Sequence, residues 1–241
     1  MEQTPLQYKN PPVQEAIFSV AFREAVPLES IRDFSKTDWV QENYPNTSEH
    51  NTDGQAAEPP AQRPGLSMRS ANASTLLRFS TTQFSFHVVN NYPGWETARA
   101  SFLEALQKAE EVCSLPAMRY ASTRYINRLK LGSMPESGLE VNKYLRLVPD
   151  LPDDFPGSPG RFFLQVEVFE ESKNLEGVIW ETLIPPTKDE QLWQVLLDIH
   201  VRSTPDQEPA PELTDFLQEG RVFKNSLFES CITPAMRELF N

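Results

Sequence analysis

Residues 120–131 read YASTRYINRLKL and form the most strongly strand-like run in the middle of the chain. Successive side chains of a β-strand point to opposite faces, so Arg124, Arg128 and Lys130 are predicted to share one face with Ile126. The opposite face is more apolar and carries Tyr125, Asn127 and Leu129. A buried Asn127 must be hydrogen-bonded, most simply to backbone groups. We expect the remaining sheet and helices to be built around this strand.

Strand patterns flank this central run on both sides. AIFSVAFRE at 16–24 alternates in the manner of a half-buried strand. Short polar gaps typical of tight turns separate most of the other candidates, which are 65–70, 74–80, 83–89, 161–171, 176–185 and 191–203. Consecutive strands joined by short turns predict an antiparallel sheet.

Helical patterns follow the two groups of strands. The segment that begins at Trp95 places apolar residues on one helical stripe, namely Trp95, Phe102, Leu106, Ala109 and Cys113. A second stripe covers 211–231, and Thr233 followed by Pro234 is typical of a helix start. Residues 28–40 predict one further short helix near the N-terminus.

The predicted fold class is α+β. We expect one or more antiparallel sheets with about six to eight strands in all, packed on one long central helix and a C-terminal helical region. Both halves repeat the same order of elements, which fits either a duplicated sheet-plus-helix unit or a single curved sheet that grips a helix. The predicted organisation is a single domain over 1–241, with a mobile loop at 43–65 and a Pro-rich connector at 149–160.

Charge and composition exclude several classes of function. The chain has 34 acidic and 22 basic residues, and a net charge of −12 repels nucleic acid and anionic lipid. No apolar run approaches the roughly 20 residues that a membrane span needs. No signal-peptide pattern is visible, and the two cysteines belong to no metal or disulfide motif. We therefore expect a soluble cytoplasmic protein that has no nucleic-acid partner.

Several segments, taken together, resemble one known family. They are YKNPPVQEAIFSVAF (8–22), YPGW (92–95), RYINRL (124–129), LLDIHV (196–201) and LFESCITPAMRELF (227–240). In this order they resemble a sporadically distributed, functionally uncharacterised family of prokaryotic proteins of about this length. The resemblance spans nearly the whole chain and implies one domain. It implies no catalytic residues, and the scattered distribution is similar to that of accessory genes of mobile or defence systems.

No nucleotide, nucleophile or zinc-protease motif occurs in the sequence. GxGxxG, GxxxxGK[ST], GxSxG and HExxH are all missing, and nine glycines leave little for phosphate-cradling loops. The sequence therefore predicts no cofactor, no metal site and no catalytic residue set.

The basic face of the central strand is the first candidate site. Arg124, Arg128 and Lys130 could bind an anionic ligand or dock an acidic protein, because guanidinium groups bind carboxylate and phosphate bidentately. The ordinary alternative is that these side chains pair with cross-strand acids such as Glu167 or Glu181.

Asp198 and His200 form the second candidate, since residues two apart share one face of a strand. With His87 they could bind a metal, and alone they could act as a general base pair. The ordinary alternative is a solvent-facing polar edge of the sheet. Glu15 is expected to stabilise a turn before the first strand rather than to gate a pocket.

Three hypotheses for function follow. The first is a non-enzymatic binding or regulatory module that acts through a protein partner or a small ligand. The second is a hydrolase-like enzyme of unrecognised type that uses Asp198, His200 and Glu167. The third is a homo-oligomer docked through the C-terminal segment 227–240, although that segment could equally close the core of its own chain.

Overall fold

The computed structural model describes residues 8–52, 63–132, 140–152, 154, 156, 161–188, 192–208 and 210–241. Within this part of the chain, nine strands form one antiparallel sheet: β1 (Val13–Phe22), β2 (Asn46–Thr52), β3 (Arg63–Arg69), β4 (Thr75–Ser80), β5 (Gln83–Val89), β6 (Met118–Gly132), β7 (Phe163–Glu170), β8 (Leu175–Ile184) and β9 (Trp193–Ser203). The helices are α1 (Leu28–Ser35), α2 (Asp38–Asn43), α3 (Trp95–Cys113), α4 (Leu213–Cys231) and α5 (Pro234–Glu238).

The spatial order of the strands is β2-β3-β4-β5-β1-β6-β9-β8-β7. The predicted central strand is β6, which spans 15 residues and pairs with β1 on one side and β9 on the other. Each half of the chain has one strand, then a meander, then a long helix. In each half the first strand pairs with the last strand of its meander, and the β1–β6 pair joins the halves.

All the long helices cover the same face of the sheet, which we call the helix face. Helix α3 packs on β5, and α4 packs on β6, β8 and β9. Phe18 of β1 stacks on Phe102 of α3 with ring centroids 5.6 Å apart. The two helices also touch each other, because Arg221 of α4 lies over the ring of Trp95. This face holds the hydrophobic core.

The other face of the sheet, which we call the polar face, carries the alternate residues of the same strands. On β1, Phe18 and Val20 point into the core, while Ile17 and Ser19 point to the polar face. The period-two pattern of the sequence therefore placed the two faces correctly. Asn127 lies on the helix face as predicted, and its amide donates to the backbone oxygens of Tyr125 and Leu197.

Two expectations about the architecture were wrong. The sheet has nine strands rather than six to eight, because β2 occupies 46–52 inside the predicted loop 43–65. This strand reads NTSEHNT and shows no apolar alternation, and its described side chains, at 46–49, are all exposed at the edge of the sheet. Residues 53–62 of that loop lie outside the described residues. The predicted C-terminal helical stripe is the helix α4, and in the described part of the chain α3 and α4 have 19 residues each.

The predicted connector 149–160 has no helix or strand among its described residues, which are 149–152, 154 and 156. The C-terminal segment closes the core of its own chain, since Leu227, Phe228, Ile232 and Phe240 are buried in it. The fifth apolar residue expected to dock a second subunit, Leu239, is instead 52% exposed. No helix in the described part of the chain is long and apolar enough to cross a membrane.

Candidate functional site

A row of small hydroxyl side chains crosses the centre of the polar face. Ser85 on β5 lies opposite Ser19 on β1, and Ser19 lies opposite Ser122 on β6. The row, which we call the serine row, ends at Arg78 on β4 and at Arg202 on β9. The Ser19 and Ser122 hydroxyls are 2.7 Å apart, and all three serines are buried.

A groove with a volume of about 210 Å³ opens over the serine row. Small side chains between long ones leave this space on the sheet surface. Besides the serines, the walls include Arg78, Gln83, His87, Tyr120, Arg124 and His200. The groove is smaller than the roughly 300–1,000 Å³ of drug-sized pockets, so it suits a small polar molecule.

Arg124 and Asp198 form a bidentate ion pair on one wall of the groove. The Arg124 Nε atom lies 2.9 and 3.0 Å from the two carboxylate oxygens, and Nη2 lies 2.5 Å from Oδ2. Hydrogen bonding to Asp198 raises the pKa of Arg124 above its ordinary value. The sequence predicted a cross-strand acid for this arginine, but the acid is Asp198 rather than Glu167 or Glu181.

Trp180 on β8 holds the ion pair and a histidine in place. The Arg124 guanidinium carbon lies 5.2 Å from the centroid of the indole ring, and the His200 ring stacks at 6.4 Å with an interplanar angle of 17°. The indole Nε1 donates to Gln165 on β7. Trp180 lies on the polar face of β8, out of phase with Ile179, which is buried on the helix face.

His200 is electrically neutral at pH 7. Burial, followed by the positive charges of Arg124 and Arg202, lowers the pKa of its imidazole to about 4. Two residues, Ile17 and Arg124, separate it from His87 across the sheet. The metal site considered for His87, Asp198 and His200 therefore does not form. Among the described residues, no group of three His, Cys, Asp or Glu side chains is arranged to hold a metal ion.

A second hydrogen-bonded chain lies on the opposite wall. Glu15 Oε1 is 2.7 Å from His87 Nδ1, and His87 Nε2 is 3.0 Å from Ser85 Oγ. The hydrogen bond from His87 lowers the pKa of Glu15, and burial lowers the pKa of His87. The neutral imidazole therefore donates its Nδ1–H to the ionised Glu15 carboxylate, and its Nε2 atom accepts a hydrogen bond from the Ser85 hydroxyl.

Glu15 lies inside β1, so its predicted role in a turn before the strand was wrong. The Glu15–His87–Ser85 chain joins two strands, β1 and β5, whose pairing the sequence alone does not specify. Only Ser85 and His87, two apart on one strand, left a signal in the sequence.

The five predicted site residues all lie on the polar face of the neighbouring strands β6 and β9. Arg124 and His200 line the groove, and Asp198 holds Arg124. Arg128 instead donates to Gln14 and Gln194. Lys130 lies further along β6, opposite Gln194.

The structure does not bring together all three residues of the hydrolase hypothesis, which are Asp198, His200 and Glu167. Val178 on β8 lies between Glu167 on β7 and His200 on β9 in the strand register. The Asp198 carboxylate is also engaged by Arg124 rather than by His200. Glu167, on the edge strand, is exposed.

Comparison with protein-family models finds no match, and comparison with curated proteins likewise finds none. Among solved structures, the chain is similar at 11% sequence identity to DynU16, described as a protein in the dynemicin biosynthetic locus. The alignment covers 95% of this chain and 100% of that one, with a TM-score of 0.24. A likeness of that size carries no argument about fold or function.

Proposed function

We propose that the protein is a binding module that holds a small anionic ligand in the groove over the serine row. The observation that carries this proposal is the row itself, in which three buried hydroxyls lie between arginines at the centre of a sheet. A carboxylate or phosphate group needs donors of this kind, and both guanidinium and hydroxyl groups supply them.

The formal charges around the groove balance, because three carboxylates, Glu15, Asp198 and Glu176, match the three arginines. The cation best placed to meet an anion is Arg78. Asp198 neutralises Arg124, and Glu176 pairs with Arg202. Among the described residues, no carboxylate forms an ion pair with Arg78, which lies at the end of the serine row. Its guanidinium is exposed at the rim and can close over a bound anion.

The hydrogen-bond pattern of the serines also suits a ligand. The Ser19 and Ser122 hydroxyls bond to each other, so one of the two protons can turn toward a ligand oxygen without leaving the other oxygen unsatisfied. Such side chains keep the ligand-free groove stable and still donate when an anion enters.

Titration calorimetry with inorganic phosphate and with malonate tests this proposal, together with native mass spectrometry of gently purified protein. We expect either a small-molecule adduct or measurable binding of one of these anions. Arg78→Met should weaken binding by about tenfold, because one charge-assisted hydrogen bond is lost. Arg99→Met on α3 is the matched control and should leave binding unchanged. An unliganded protein that binds neither anion would contradict the proposal.

A second candidate function is hydrolysis in the same groove, favoured by the Glu15–His87–Ser85 chain. Ser85 Oγ would attack a carbonyl carbon while its proton moves to His87 Nε2. His87 would then protonate the leaving oxygen, and water would release the acyl group from Ser85 by the reverse transfers. Arg78, across the strand pair from Ser85, would supply positive charge to the developing oxyanion.

Labelling with a fluorophosphonate probe tests this second candidate. An activated Ser85 forms a covalent adduct, which peptide mass spectrometry locates. Ser85→Ala and His87→Gln should both abolish the adduct, and Ser19→Ala should retain it. If the protein binds an anion but the probe does not label it, the binding-module proposal stands and the hydrolase candidate is rejected.

A further inference from the structure

The edge strand β7 carries two strongly exposed aromatic side chains. Phe163 is 62% exposed and Phe169 is 64% exposed, more than any other large apolar residue in the described part of the chain. Both lie on the polar face of β7. Only β8 pairs with β7 among the described strands, so the outer row of backbone donors and acceptors is open to a further strand.

The sequence around β7 is nearly symmetric about Val166. Residues 161–171 read RFFLQVEVFEE. If two copies of this segment run antiparallel with Val166 opposite itself, Phe163 of one copy lies opposite Phe169 of the other. In the same register Gln165 faces Glu167, and Leu164 faces Val168. Within β7 every opposed pair is then aromatic, aliphatic or hydrogen-bonding, and only Glu170 extends past the end of the opposing strand.

We propose that β7 pairs with β7 of a second copy of this chain, related by a two-fold axis through Val166. Such an axis gives an isologous interface in which each contact occurs twice. It joins the two sheets into one, with the polar faces continuous. The proposal is independent of the ligand groove and of its function.

Neighbouring registers fit less well. A two-fold axis at Glu167 places that carboxylate opposite its own copy, and an axis at Gln165 places Phe163 opposite Glu167. Like charges directly opposite each other destabilise strand pairs, whereas aromatic pairs stabilise them. The other edge of the sheet, β2, reads NTSEHNT and offers no comparable aromatic pair. Complementarity therefore selects β7 and the Val166 register.

The interface is small, because one strand pair buries less than the roughly 1,200–2,000 Å² of standard protein interfaces. We therefore expect a dimer whose population depends on concentration in the micromolar range. Sedimentation velocity of the full chain over a dilution series measures it. A wild-type protein that stays monomeric throughout would overturn the proposal.

Charge complementation tests the register. Phe163→Lys/Phe169→Lys and Phe163→Glu/Phe169→Glu should each be monomeric, because the register opposes like charges in two places. Mixing the two variants should restore a dimer that contains one copy of each. Residues 163 and 169 lie on opposite ends of one strand, so only pairing between chains can produce this rescue.

Val222→Lys on α4 is the control, since Val222 is also exposed, at 43%, but lies away from β7. It should dimerise like the wild type. Circular dichroism of each variant checks that the fold is retained. Folded variants that dimerise normally alone, or that fail to associate when mixed, would overturn the proposal.

Discussion

Two carboxylates lie one residue apart in the β8–β9 ladder and behave in opposite ways. Asp198 of β9 lies opposite Trp180 on the polar face, and Glu181 of β8 lies opposite Leu197 on the helix face. Asp198 is held by the Arg124 guanidinium. Glu181 is fully buried, and neither of its carboxylate oxygens has a hydrogen-bond partner among the described residues. The polar face thus accommodates a charge, and the helix face excludes one.

The difference extends to the pH dependence of stability. Burial raises the pKa of Glu181 from 4.5 to about 8. Between these pH values the folded chain retains a proton that the unfolded chain has lost, so the free energy of unfolding decreases as pH rises. One pKa unit is worth about 1.4 kcal/mol, which makes the loss about 3 kcal/mol at pH 7.

The largest expected effect comes from removing the partner of Asp198. Arg124→Met leaves a carboxylate that is largely buried and unpaired, which should lower the free energy of unfolding by about 3–4 kcal/mol. Urea denaturation at pH 7 measures the change. Arg124→Met/Asp198→Leu removes both charges and should recover most of the loss. A single variant as stable as the wild type would show that the ion pair contributes little.

Removing the unpaired acid should have the opposite sign. Glu181→Met keeps the volume and removes the ionisable group, so it should raise the free energy of unfolding at pH 7 by about 2–3 kcal/mol. The gain should shrink toward pH 5, because the unfolded chain then also binds the proton that the folded chain retains. Glu181→Gln is the control, because it removes the ionisable group and keeps a polar side chain. Its free energy of unfolding should likewise no longer decrease as pH rises from 5 to 8. A wild-type stability that is flat from pH 5 to 8 would contradict the assignment.

The packing of the helix face can be tested at Gly177 of β8. A Cβ atom at this position would lie 2.8 Å from Leu227 Cδ1 and 3.2 Å from the Phe223 ring. Gly177→Ala should therefore cost about 1 kcal/mol, as α4 shifts to make room. Thermal unfolding measures the effect. Gly220→Ala within α4 is the contrast: its nearest contact is 3.3 Å, and the better helix propensity of Ala should offset it. Equal effects at the two sites would argue against tight packing over Gly177.

The smallest effect should appear on the acid side, at His200 on the polar face. Burial lowers the pKa of this imidazole from 6.5 to about 4. The unfolded chain therefore takes up a proton first as pH falls below 6.5, and stability is lost toward pH 4. His200→Gln should remove about 0.7 kcal/mol of this loss by pH 6. Chemical denaturation at pH 7 and pH 6 measures it; an unchanged acid slope would contradict the shift.

Much of the fold could be predicted from local patterns. Alternation identified every strand that buries one face, including β6 and its two faces, and the apolar stripe of α3 identified its core-facing side. The strand β2 was missed because its sequence, NTSEHNT, has no apolar alternation, whereas the other edge strand, β7, alternates and was predicted. Apolar periodicity in the sequence reflects which side chains are buried, so a strand without such periodicity cannot be predicted in this way.

The candidate site was predicted less completely. Arg124, Asp198 and His200 stood out because they are charged or titratable residues in strand patterns. The serine row could not be found, because its members lie on three strands far apart in the sequence and none of them is unusual alone. The same holds for the bond between Glu15 and His87, which depends on the pairing of β1 with β5.

The sequence by itself determined most of the strands, the antiparallel α+β class and the apolar side of the central strand β6. These properties depend on neighbouring residues and on the period of the backbone. Only the tertiary structure decided which strands are adjacent, and hence which side chains form the groove and which carboxylate finds a cation. Strand order is set by contacts between distant segments, and a difference of one residue in the ladder separates a paired Asp198 from an unpaired Glu181.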